Sequence, residues 1–163
     1  FLARILRLQT KNQTNQMKSI FTVVLAIVLA TGLAEAKSTP NKKAKAAVGI
    51  QFTEGAWSKI LEKAKKEKKI IFFDAYASWC GPCKQLQKYV FTRQDVGDFF
   101  NKNFVNVKKD MEEGEGPKLA SIYPLDAYPT LFFIDGNGKV VKKFVGGLDP
   151  EELIQLGKSV LKK

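Results

Sequence analysis

Cys80 and Cys83 are the chain's entire thiol content, and they stand two residues apart in Trp79-Cys80-Gly81-Pro82-Cys83. Thiols at this spacing can crosslink the chain, supply half of a metal site, or cycle between dithiol and disulfide. Zinc would need two more ligands, and there is no histidine or further cysteine to provide them. A static bridge between i and i+3 closes a very small loop, so it would restrict the unfolded chain little. The absence of histidine also removes imidazole bases and Ser-His or Cys-His pairs, which leaves thiols, carboxylates, amines and backbone as the available chemistry. The nearest carboxylate upstream is Asp74, six positions before Cys80.

Such a pair acts only if the fold positions it. "IQF" (Ile50 to Phe52) is a short strand candidate, and Ala56 to Lys68 places Trp57, Ile60, Leu61 and Ala64 at helical spacing. "IIFFDAY" (Ile70 to Tyr76) is a nearly continuous apolar run, the pattern of a central strand covered on both faces. After the Gly-Pro pair, "CKQLQKYVF" continues as a helix with Leu86, Tyr89 and Val90 expected inward. "VGDFF" adds a short helical segment, "FVNVKKD" a strand, and "GPKLASIY" a helix opened by Pro117. "TLFFID" and "KVVKKFV" form a hairpin through Gly136-Asn137-Gly138. A last helix begins at Asp149-Pro150-Glu151-Glu152, an N-cap aspartate followed by proline and acids. The order β α β α β α β β α is an α/β sandwich, a central mixed sheet flanked by helices. It sets the cysteines just past the carboxyl end of a central strand, at a helix start, where chemistry in open α/β sheets concentrates. There Cys80 meets unpaired N–H groups that favour its thiolate, and Cys83 lies one turn deeper on the same face.

The amino end has a different character. From Met17, Lys18 precedes an uncharged, mostly apolar run of 14 residues, Ile20 to Leu33, and then Ala34-Glu35-Ala36. This is the pattern of a signal peptide, 17–36, cut after Ala36. The run is short for a spanning helix, which needs about 20 residues, and an uncleaved 20–33 anchor facing the periplasm is the alternative. Residues 1–16, with Arg4, Arg7 and Lys11, are expected to be upstream sequence joined to a natural start at Met17. Residues 37–49 form a lysine-rich leader and 50–163 the domain. The chain carries +11, mostly as scattered lysines, and only Arg93 lies beyond Ala36. A surface of bidentate guanidinium contacts to nucleic acid is therefore not expected. Export to a periplasmic or other oxidising compartment would leave an isolated dithiol as a disulfide unless a donor kept reducing it.

From about Ile50 to Lys163 the sequence resembles the thioredoxin family. Trp79-Cys80-Gly81-Pro82-Cys83-Lys84 is similar to its active-site motif, and Asp74 to its buried carboxylate. Tyr128-Pro129-Thr130 resembles its cis-proline turn, and Gly146 the glycine of the neighbouring substrate loop. The extended stretch from Lys88 to Gly116 is similar to exported members and to the outward-facing C-terminal domain of membrane thiol-disulfide interchange proteins. The resemblance implies a thioredoxin-like fold and a protein-disulfide reductase with Cys80, Cys83 and Asp74 as catalytic groups. Trp79, Gly81, Pro82, Tyr128, Pro129 and Gly146 would meet the substrate. It implies no cofactor beyond the Cys80/Cys83 disulfide and no metal. The partners implied are disulfide-containing or dithiol proteins and a membrane thiol electron donor. An oxidase, an isomerase or a non-catalytic peptide-binding module would use the same groove. Asn106 aligns where the family places a lysine near the aspartate. The acidic "DMEEGEG" lacks calcium-loop spacing and is expected to be an exposed loop.

Overall fold

A computed structural model describes residues 48–162. The expected 1–16, 17–36 and most of the 37–49 segments lie outside the described residues. The elements are α1 (Trp57–Glu67), β1 (Ile70–Tyr76), α2 (Gly81–Gln85) running into a π turn (Leu86–Val90), α3 (Gln94–Asn103) and β2 (Phe104–Asp110). They continue with α4 (Gly116–Ile122), β3 (Thr130–Ile134), β4 (Val140–Val145) and α5 (Pro150–Leu161). Strand order is β2-β1-β3-β4, with β1 parallel to β2 and antiparallel to β3, and β3 antiparallel to β4.

Period-two alternation in β1 sorts its side chains between two cores. Ile71, Phe73 and Ala75 pack with Trp57, Ile60 and Ala64 of α1 and with Leu119 of α4. Phe72 packs on the opposite face with Leu86, Val90, Val96, Phe100, Leu153 and Val160. Helices therefore cover both faces of the sheet, the three-layer sandwich expected from the sequence. Asp74 shares the parity of Phe72, so it lies on the face that α2 covers.

Two local expectations are corrected. Ile50 to Phe52 is not a strand: the Ile50 N–H goes to the Phe91 carbonyl and the Gln51 N–H to the Asn101 side chain. Only the Thr53 N–H reaches β2, at the Asn106 carbonyl, so no ladder forms. The "VGDFF" helix is ten residues long, because the exposed polar positions Gln94, Asp95, Asp98 and Lys102 form its outer face and Asn101 and Asn103 complete its last turn. The hairpin turn stands as expected, with Gly138 at φ 84° and the Asp135 carboxylate accepting from the Asn137 and Lys139 N–H groups. At α5, Asp149 and Glu152 form a reciprocal capping box.

Candidate active site

β1 delivers the chain to its carboxyl end at Tyr76, and Cys80 becomes the N-cap of α2. Pro82 in the first turn has no N–H to leave unpaired, which suits the position. Cys80 and Cys83 are joined as a disulfide with Cα atoms 5.3 Å apart. The Cys83 N–H donates to Cys80 Sγ at 3.1 Å, so the first sulfur sits on a backbone donor at the positive end of the helix. Both residues are nearly closed off, at 2% and 1% exposure. They differ in what they face: Cys80 lines a cleft of about 480 Å³ and Cys83 does not.

Trp79, Gly81, Pro82 and Tyr128 line the same cleft, which Ala120 and the Pro124-to-Ala127 loop close on the far side. Trp79 is 64% exposed, which excludes ordinary core packing, and meets Tyr128 edge to face with ring centres 5.7 Å apart. The Tyr128-Pro129 peptide is cis, and the Pro129 carbonyl accepts from the Gly146 N–H at 2.9 Å. Gly146 stands at φ 109°, a backbone conformation that favours glycine. Pro129 and Gly146 are thus tied to each other directly after Tyr128, which lines the cleft.

Asp74 is fully buried. Burial pushes its carboxyl up to about 7, against smaller downward pulls from the Gln87 amide and the Lys108 charge. Gln87 Nε2 donates to Asp74 Oδ2 at 3.3 Å, while Oδ1 has no partner among the described residues. Asn106, paired with Phe72, makes no hydrogen bond to Asp74 among the described residues, while Lys108, paired with Asp74, supplies the charge that pulls its carboxyl down. The Asn106 amide donates instead to Asn101 and to the Gln51 carbonyl.

Tyr89 is also corrected. The buried positions of this helix are Cys83, Leu86 and Val90, a stripe that includes Gln87 and leaves Tyr89 outside, 55% exposed. The acidic loop is exposed from Glu112 to Glu115, as expected, and two carboxylates of this stretch reach the motif. Asp110 accepts from the Ser78 N–H at 2.8 Å, and Glu112 accepts from the Trp79 indole N–H at 2.8 Å. Sequence reasoning missed Asp110, Glu112, Gln87 and Lys108; for Lys108 the signal was strand register, and for Gln87 its i+4 spacing from Cys83.

Comparison with known proteins gives the same frame. The profile of the Thioredoxin-like domain matches residues 57–161. Chloroplastic thioredoxin Y of Oryza sativa subsp. japonica is 33% identical over 135 residues, 83% of this chain and 76% of that protein. A Bacteroides thetaiotaomicron protein assigned provisionally as a disulphide-isomerase is 45% identical, with a TM-score of 0.63 over 72% of this chain and 97% of that one. The oxidised C-terminal domain of Neisseria meningitidis DsbD, 21% identical, shares the fold with a TM-score of 0.55 over 68% of this chain and 97% of that domain. With the profile covering well over half its length and a paired Cys80-Cys83 at the helix start, the chain belongs to the thioredoxin-like family of thiol-disulfide oxidoreductases.

Proposed function

We propose that the protein is an exported reductase of disulfides in envelope proteins, kept reduced by a membrane thiol donor. In the reductive half-cycle the Cys80 thiolate attacks a partner disulfide. The partner S–S bond breaks, one partner sulfur leaves and takes a proton, and the other is held as a mixed disulfide. Cys83 gives its proton to Asp74, through water, and its thiolate attacks Cys80 Sγ. The second partner sulfur leaves, and two electrons have passed from the dithiol to the partner as the Cys80–Cys83 bond forms. The donor's dithiol then reverses the exchange. Trp79 and Tyr128 form the apolar rim against which the partner chain lies, with Gly81 and Pro82 keeping the approach to Cys80 narrow.

The observation that carries the direction is the charge around the motif. A dithiol becomes a strong oxidant when its thiolate is heavily stabilised. Here the two residues before Cys80 are held by the carboxylates of Asp110 and Glu112, and a third carboxyl, Asp74, is buried beneath, with Lys108 and Lys84 as the nearby cations. The described donor to Cys80 Sγ is the single Cys83 N–H. Negative neighbours disfavour a thiolate, which supports a reductant. Export rests on the 17–36 pattern together with the oxidising compartment it leads to.

The test is capture in the native compartment. Cys83→Ser should accumulate mixed disulfides with extracytoplasmic proteins that dissolve under dithiothreitol, and Cys80→Ser should accumulate none. Partners confined to the cytoplasm would contradict export. Isomerisation is a second reading, favoured by the provisional assignment of the Bacteroides relative. An isomerase would restore activity to a scrambled multi-disulfide protein without consuming donor electrons. If the double replacement of both cysteines by serine left cellular function intact, the site would be a peptide-binding groove and not a redox centre.

A further inference from the structure

Gln87 is a polar residue in the apolar stripe of its helix, four positions after Cys83 and so one turn along the same face. Its half-buried side chain makes no hydrogen bond to the helix backbone among the described residues. It reaches down to the sheet and donates to Asp74 Oδ2 at 3.3 Å, the one hydrogen bond that this carboxylate receives among the described residues. We propose that Gln87 is a positioning residue that holds the Asp74 carboxylate in its ionised, proton-accepting form under Cys83. The inference rests on the oxidoreductase reading only for its consequence in turnover.

A carboxylate with no donors in a buried site would keep its proton, and a base that is already protonated cannot relieve Cys83 of one. An amide N–H aimed at the carboxylate favours the charged form. The other groups facing Asp74 cannot replace it. Lys108, across the β1–β2 pair, is exposed and acts only through its charge. Tyr76, two residues along β1, is a neutral phenol near neutral pH and its own ionisation is disfavoured by burial and by surrounding carboxylates. β3 offers Leu131 and Thr130, neither of which titrates, and α2 offers Cys83, neutral in the disulfide.

Gln87→Met keeps length and removes the donor, and Gln87→Glu replaces it with a second carboxylate. The Asp74 carboxyl is followed directly by carbon-13 NMR across pH in the full-length oxidised protein, a readout that needs no partner. Gln87→Met should raise the midpoint by roughly one pH unit, the scale of a hydrogen bond to a charge. Gln87→Glu should raise it as well and split the titration into two coupled steps. In stopped-flow resolution of a mixed disulfide, Gln87→Met should be roughly tenfold slower at pH 6 and equal to wild type at pH 9, since one pKa unit is a factor of ten. An unmoved Asp74 midpoint in both variants, or a rate loss equal at every pH, would overturn the assignment. Absence of exchange with any disulfide, with the midpoint shifted, would instead sink the oxidoreductase reading and leave the Gln87–Asp74 coupling standing.

Discussion

Asp74, the proposed proton acceptor for Cys83, would carry opposed demands of folding and chemistry. Its folded pKa of about 7 lies above the ordinary 3.8. Below the ordinary value both folded and unfolded chains hold the proton, and the residue costs nothing through ionisation. Between the two values the unfolded chain has released a proton that the native state still binds, so stability falls as pH rises through that window. Above pH 7 the cost is complete, on the order of 4 kcal/mol. Urea titrations of wild type should therefore show lower stability at pH 8.5 than at pH 5, and Asp74→Asn should flatten that dependence while slowing resolution. Equal pH dependence in the two proteins would mean that Asp74 is not buried in the folded state. Asp74 was legible because its spacing from the motif and its place in an apolar strand are both sequence properties. Gln87 was not, since hydropathy assigns glutamine outward and tyrosine inward, whereas the stripe set by Cys83, Leu86 and Val90 makes the opposite choice at Gln87 and Tyr89.

The elements that position the site were mostly legible because their patterns are long: β1 and β2 have the expected bounds, and α5 begins at the expected cap. The failures are short or non-local. Ile50 to Phe52 has strand composition, yet its donors find a carbonyl at Phe91 and a side chain at Asn101, contacts that no local pattern encodes. Likewise the pairing of Lys108 with Asp74 depends on how β2 slides along β1, which either strand alone leaves open. The leading segment is held by close approach: a Cβ on Gly97 of α3 would run into the backbone of Gly49. Gly97→Val should destabilise the domain by about 1–3 kcal/mol, the usual cost of overpacking, because valine's helix propensity exceeds glycine's by only a few tenths. The urea midpoint should fall at unchanged slope, with faster amide exchange at Ile50 and Thr53. An unchanged midpoint would show that this segment is free to move aside.

At the scale of the molecule, a broadly basic chain presents its redox motif beside carboxylates. Asp110 and Glu112 sit against Ser78 and Trp79, while the lysines are spread over α1, β2, β4, the π turn and the helix ends, with Lys84 directly after Cys83. That contrast is invisible in the net charge of +11, and only the folded arrangement brings the Asp110 loop to the motif. On the proposed reading, the direction of electron flow depends on the whole surface around Cys80 and not on the Gly-Pro pair alone. The reduction potential of Cys80/Cys83 in the full-length protein, equilibrated in defined thiol buffers with free thiols trapped, tests this most directly. A reductase should give a value near that of thioredoxin, about −270 mV, and a value near that of a strong oxidase, about −120 mV, would contradict this and make the protein a disulfide donor.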